Sequence, residues 1–188
     1  MKKSNIILVI VLLFATVIQG QFRETKWGIS QKEVKKIESN LKEVGTTSKS
    51  IFFSDRLLNM DVYVVYSFTH SDKLHSGSYV FLDKHSQKNS YIDDYSKVQE
   101  ALTRKYEEPE TKEVNWIDDL YRDDPSDYGR AVSIGHLNFL SIWETPTEKI
   151  KLVCSGDNYK INVLLTYISK KLLNEKEKER SKSELEKL

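Results

Sequence analysis

The sequence predicts an α+β protein made of two consecutive cycles, each a helix followed by antiparallel strands, with a charged helical tail. Three observations predict it. Apolar residues recur at helical spacing in two separate places, around Val34 and around Val98. Each place is followed by runs rich in β-branched and aromatic residues. The linkers between those runs are too short for parallel crossovers, so neighbouring strands pair antiparallel. Helices gathered on one face of such a sheet then bury its apolar side. The boundaries read as a leader at 1–20, a first helix-plus-strands repeat at 21–90, a second at 91–169, and a tail at 170–188.

The leader begins with Lys2 and Lys3, continues as an apolar run over 6–18, and ends at Gly20. A basic start, a dozen apolar residues and a small residue at the end form the secretory signal pattern. The run is too short to span a bilayer comfortably. The expected location is therefore secreted or periplasmic, with no stable membrane anchor after cleavage. No Cys lies at the cut to carry a lipid.

In the first cycle, Ser30 stands three residues before Glu33, the spacing of a capping box. Val34, Ile37 and Leu41 then share one helical face, and Gly45 is the expected stop. Strands are expected at 50–58, 61–69 and 78–82. In the second cycle, Tyr95, Val98, Leu102 and Tyr106 share a helical face over 93–106, and Pro109 bars continuation. A short strand is expected at 114–117, then an acidic loop over 118–129 with a helical turn starting at Pro125. Further strands are expected at 137–144, 149–154 and 159–168. Ser155-Gly156-Asp157-Asn158 reads as the turn between the last two. Ile161, Val163, Leu165 and Tyr167 alternate, so one face of the final strand is buried. The tail carries seven basic and five acidic residues among 19, and reads as a solvated helix.

The charges of the 188-residue chain nearly cancel, with Lys+Arg 29 against Asp+Glu 28. The cancellation hides unlike parts. Leader and tail are each +2, and residues 21–169 hold 20 basic against 23 acidic, net −3. A mildly acidic body argues against a nucleic-acid partner. The single Cys154 supports neither a disulfide framework nor a thiolate zinc site, and reads as a small buried apolar side chain.

No catalytic motif stands out. His70, His75 and His85 sit in loops without the carboxylate companions of a metal site. Asp118, Asp119, Asp123, Asp124 and Asp127 make a weak calcium candidate, since calcium wants six to eight oxygens. The loop lacks the EF-hand spacing and glycine. No Gly-x-Ser-x-Gly elbow is present, and no cofactor is called for. One enzymatic alternative is an exported hydrolase with His136 as base beside an acidic-loop carboxylate.

The aromatics point elsewhere. Tyr and Trp are the usual anchors of protein interfaces. Trp27, Tyr63, Tyr79, Trp116 and Trp143 are the binding candidates. The leading expectation is a non-enzymatic exported module that binds another envelope or extracellular protein.

The opening Phe22-Arg23-x-x-x-Trp27-Gly28-x-Ser30-x-x-Glu33-Val34 resembles that of uncharacterised exported bacterial proteins. Leu102, Lys105-Tyr106, Pro109 and Trp116 continue the likeness, with Glu107 where that family has Gly. Over about ten residues, Gly28-Ile-Ser-Gln-Lys-Glu-Val also resembles the helix start of BamE-type assembly lipoproteins and β-lactamase-inhibitor-type repeats. That resemblance implies a small helix-plus-sheet module that binds other proteins, and assigns no functional residue. The lipid-bearing Cys and the paired cysteines of those families are not found here.

Overall fold

The computed structural model describes residues 21–175. The expected leader and the tail beyond residue 175 lie outside the described residues. An N-terminal ribbon, β1 (Gln21–Phe22) with β2 (Thr25–Lys26), precedes helix α1 (Gln31–Ile37). Four strands follow: β3 (Lys42–Thr46), β4 (Ser50–Leu57), β5 (Met60–Phe68) and β6 (Leu74–Phe81). Helix α2 (Ser90–Tyr106) leads to β7 (Thr111–Trp116), a 3-10 turn at Pro125–Asp127 and α3 (Tyr128–Ser133). Then come β8 (Leu137–Glu144), β9 (Glu148–Asp157) and β10 (Lys160–Ser169). The fold class is α+β. β3 to β10 form one antiparallel sheet in the order β3-β4-β5-β6-β10-β9-β8-β7. Two meanders therefore meet at the β6–β10 pair, in the middle of the sheet.

Alternation along the strands gives the sheet two unlike faces. In β5, Met60, Val62, Val64, Tyr66 and Phe68 are buried while Asp61 and Tyr63 are exposed. In β10, Ile161, Val163, Leu165 and Tyr167 are buried while Asn162 and Leu164 are exposed. The buried face carries α2 and α3, which pack over β8, β9 and β10.

The ribbon seals the centre of that face. Gly77 in β6 pairs with Tyr66 on one side and Tyr167 on the other. A Cβ on Gly77 would stand 2.0 Å from the Phe22 ring. Phe22 takes that space and contacts Tyr66, Tyr79 and Tyr167 with ring centroids 5.2, 5.1 and 5.4 Å away. Edge-to-face and tilted contacts at these separations suit the aromatic quadrupole. Next to it, Arg23 reaches Glu38 at 2.8 Å and Asp55 at 2.7 Å. Burial opposes the guanidinium's charge, but Tyr79, Asp55 and Glu38 together hold its pKa above the usual value. Glu38 also accepts from the Tyr66 hydroxyl.

These contacts explain one place where the sequence reading and the structure part. The first helix stops at Ile37 rather than running on to Leu41, because Glu38 at its end is held by Arg23 and Tyr66. The released chain forms edge strand β3, which the helical reading had covered. The capping box is present: Ser30 accepts from the Glu33 amide, and Glu33 accepts from the Ser30 amide. The helical turn expected from Pro125 is present as the 3-10 turn, and the chain continues from it into α3. The last turn also moves. Asn158 and Tyr159, with φ of 47° and 64°, form the two-residue turn between paired Asp157 and Lys160. Gly156 instead belongs to β9, where a Cβ would lie 2.5 Å from the Val132 carbonyl oxygen.

Glu107 ends α2 with φ 67° and ψ −163°, a conformation that favours glycine. Its carbonyl accepts from Trp143 Nε1 at 3.0 Å, which fixes the strained residue in place.

Two stability results are expected from denaturant unfolding. Gly77→Ala should cost about 3 kcal/mol, because the new methyl overlaps Phe22. In a Phe22→Ala background the same change should cost clearly less. Glu107→Gly should stabilise the chain by about 1 kcal/mol, since glycine relieves the strain while the carbonyl contact survives.

Candidate functional site

The five aromatic candidates do not form one exposed patch. Trp143 and Tyr79 are buried in the core. Burial and the core packing of these two rings correct the expectation that they present a binding surface. Trp116 is half-buried against the Tyr128 ring, centroids 5.1 Å apart. Trp27 is half-buried, and its Nε1 donates to Glu148 Oε1 at 2.8 Å. Tyr63 differs: it is 39% exposed on the face opposite the helices.

That face holds an apolar row that no sequence window displays. Strand register places Tyr63 beside Val80, Val80 beside Leu164, Leu164 beside Val153, and Val153 beside Leu140. Five apolar side chains thus run straight across β5, β6, β10, β9 and β8. Leu164 is 36% exposed. The next row carries Phe52, Val65, Ser78, Thr166, Lys151 and Ile142. The Ser78 and Thr166 hydroxyls bond each other at 3.1 Å. Lys151 is exposed and makes no ion pair among the described residues. Glu144, near one rim, is already held by Lys170 at 2.7 Å and Lys149 at 3.6 Å.

The remaining candidates fall apart spatially or are held locally. His136 Nδ1 is buried, 3.6 Å from Asp118 Oδ1. That is an ion-pair separation, longer than a hydrogen bond. Asp118 Oδ1 also accepts from the Leu120 amide, and Asp119 holds Arg122 at 3.0 Å. Asp124 caps the 3-10 turn through the Ser126 amide. Three of the five calcium candidates, Asp118, Asp119 and Asp124, thus serve their own loop. Among the described residues no group of three or more His, Cys, Asp or Glu side chains is placed to hold a metal ion. His85 joins Asp94 at 2.6 Å, His70 lies 3.5 Å from Lys49 Nζ, and His75 is buried. Cys154 is buried, and desolvation pushes its thiol up to about 12, with Asp94 adding to the rise. A thiol held neutral is a poor nucleophile.

Sequence reasoning passed over two clefts at the end of the sheet beside the β9–β10 turn. Cavity volumes are about 640 and 490 Å³, and both are bounded by Lys88 and Tyr159. Tyr159 is 70% exposed. No local signal marked it, because a large aromatic is an unusual choice for a left-handed turn position.

No family model, curated protein or solved structure matches the chain.

Glu148, paired with Trp27, yields a pH signature. Burial raises its carboxyl above the usual 4.5, so the folded chain holds this proton more tightly than the unfolded chain. Its contribution to stability is full below 4.5 and is lost as pH rises through the raised value. Urea unfolding across that window should show wild type losing stability relative to Glu148→Gln as pH rises. A constant difference would contradict the assignment.

Proposed function

We propose that this is an exported, non-enzymatic module that docks another envelope or extracellular protein on the uncovered sheet face. The observation that carries the reading is the apolar row from Tyr63 to Leu140. A single exposed apolar residue is ordinary, but a contiguous row on an open face is not. Eight strands at about 4.8 Å spacing make a face roughly 34 Å wide, which can supply the ~800 Å² per partner of a standard interface. Tyr63 is the aromatic anchor, and Lys151 in the next row is an unpaired cation among the described residues. The partner therefore presents aliphatic side chains to the row and a carboxylate to Lys151.

The leader pattern at 1–20 supports export. The strand order supports the reading of the chain as two related units. Each unit is a helix followed by a four-strand meander, α1 with β3 to β6 and α2 with β7 to β10. Joining them through β6 and β10 doubles the width of the face. The likeness of the Gly28 helix start to modules that bind other proteins points the same way. Residues 170–175 are helical, in keeping with a charged C-terminal helix.

The test uses the full chain carrying a photo-crosslinker at Leu164, exposed to the extracytoplasmic fraction at about micromolar concentration. A cross-linked partner that is lost in Tyr63→Asp with an unchanged melting temperature supports the proposal. Three results overturn it: no partner, a partner retained by Tyr63→Asp, or cross-links only to residues 176–188 or to a second copy.

A further inference from the structure

We propose that the two clefts beside the β9–β10 turn form one binding site for an acidic saccharide. This site lies at the end of the sheet, and its second cleft shares Val80 with the apolar row of the open face. Its volumes, about 640 and 490 Å³, fall within the range of small-ligand pockets. Lys88 and Tyr159 line both clefts and join them.

Cations outnumber carboxylates at the clefts. Arg130 lines the first cleft, and Lys84 and Lys160 line the second. Among the described residues, none of these three nor Lys88 forms an ion pair with a carboxylate. Arg23, Lys35, Arg56, Arg122 and Lys170 are paired, whereas among the described residues the four cleft cations, like Lys151, are not. Acidic groups at the clefts are Asp83 and Asp127. Asp83 accepts from the Asp61 amide at 3.3 Å, and Asp94 behind the second cleft is engaged by His85 at 2.6 Å. So a chain whose body is net −3 gathers an excess of cations at one end.

Tyr159 supplies the second half of the argument. Its φ of 64° is costly for an aromatic, yet the ring is 70% exposed rather than packed in the core. The backbone is held there from both sides. The Tyr159 amide donates to the Ser133 carbonyl at 2.9 Å, and its carbonyl accepts from Lys88 Nζ at 3.2 Å. An exposed aromatic on a held backbone is a platform. The C–H face of a sugar ring stacks on such a surface, while carboxylate or phosphate oxygens take charge-assisted bonds from Lys88 and Arg130. Asn89 stiffens the wall between them: it accepts from the Gly129 amide at 2.6 Å and donates to the Pro125 carbonyl at 3.0 Å.

The experiment is NMR titration of the full chain with digalacturonate, glucose 6-phosphate and neutral maltose. The account expects saturable shifts at Lys88, Asn89, Arg130 and Tyr159 with one or both acidic sugars. The two acidic arms separate carboxylate from phosphate recognition. Affinity should fall about tenfold or more in Lys88→Ala and in Arg130→Ala, each losing a charge-assisted bond. Tyr159→Gly should weaken binding while raising the melting temperature, a combination that a merely structural role would not produce. The proposal is overturned by no saturable shift below about 10 mM, by equal binding of maltose, or by Tyr159→Gly leaving affinity unchanged.

Discussion

Phe22 lying on Gly77 is the contact on which the rest of the arrangement depends. The β6–β10 pair is where the two meanders join, and side chains of ordinary size there would leave no room for the N-terminal ribbon. Glycine opens a hole in the middle of the buried face, and Phe22 fills it from above. The ring then touches Tyr66 on β5, Tyr79 on β6 and Tyr167 on β10. One side chain thereby ties both meanders to the ribbon at 21–26. Arg23 follows in a left-handed conformation, φ 56°, which turns its guanidinium back toward Glu38 and Asp55. Arg23 thereby ties the end of α1 to strand β4.

This arrangement assigns the two sheet faces different jobs. The ribbon, α2 and α3 consume the apolar side chains of one face. The other keeps Tyr63, Val80, Leu164, Val153 and Leu140 in one line across five strands. Such a row exists only once the meanders are joined, because its members come from both. The clefts beside Tyr159 are likewise a product of assembly, with walls from the segment before α2, from α3 and from the β9–β10 turn.

The α+β class, α2, β5, β8 and β10 were legible because each rests on local periodicity. The Ser30–Glu33 cap was legible for the same reason, as a short-range pattern with one physical meaning. The end of α1 was not, since it is decided by Arg23 and Tyr66, 15 and 28 residues from Glu38. The roles of Phe22 and Gly77 were also hidden, although Phe22-Arg23 was singled out as a motif. Nothing local says that a phenylalanine 55 positions away needs a missing Cβ. The binding aromatics were chosen by residue type alone. Register and burial then separated Tyr63, on the open face, from Tyr79 and Trp143, which are core. Gly156 misled because close backbone approach and turn formation both select glycine.

The claim that a Phe22-sealed β6–β10 seam unites the two meanders is tested most directly by native-state hydrogen exchange. The account predicts that the Tyr79 and Leu165 amides open only with global unfolding, while amides of edge strands β3 and β7 open earlier. If Tyr79 and Leu165 exchanged through a lower-energy opening that left β4–β5 and β8–β9 protected, the meanders would be separable units. The seam would then not be what holds the fold together.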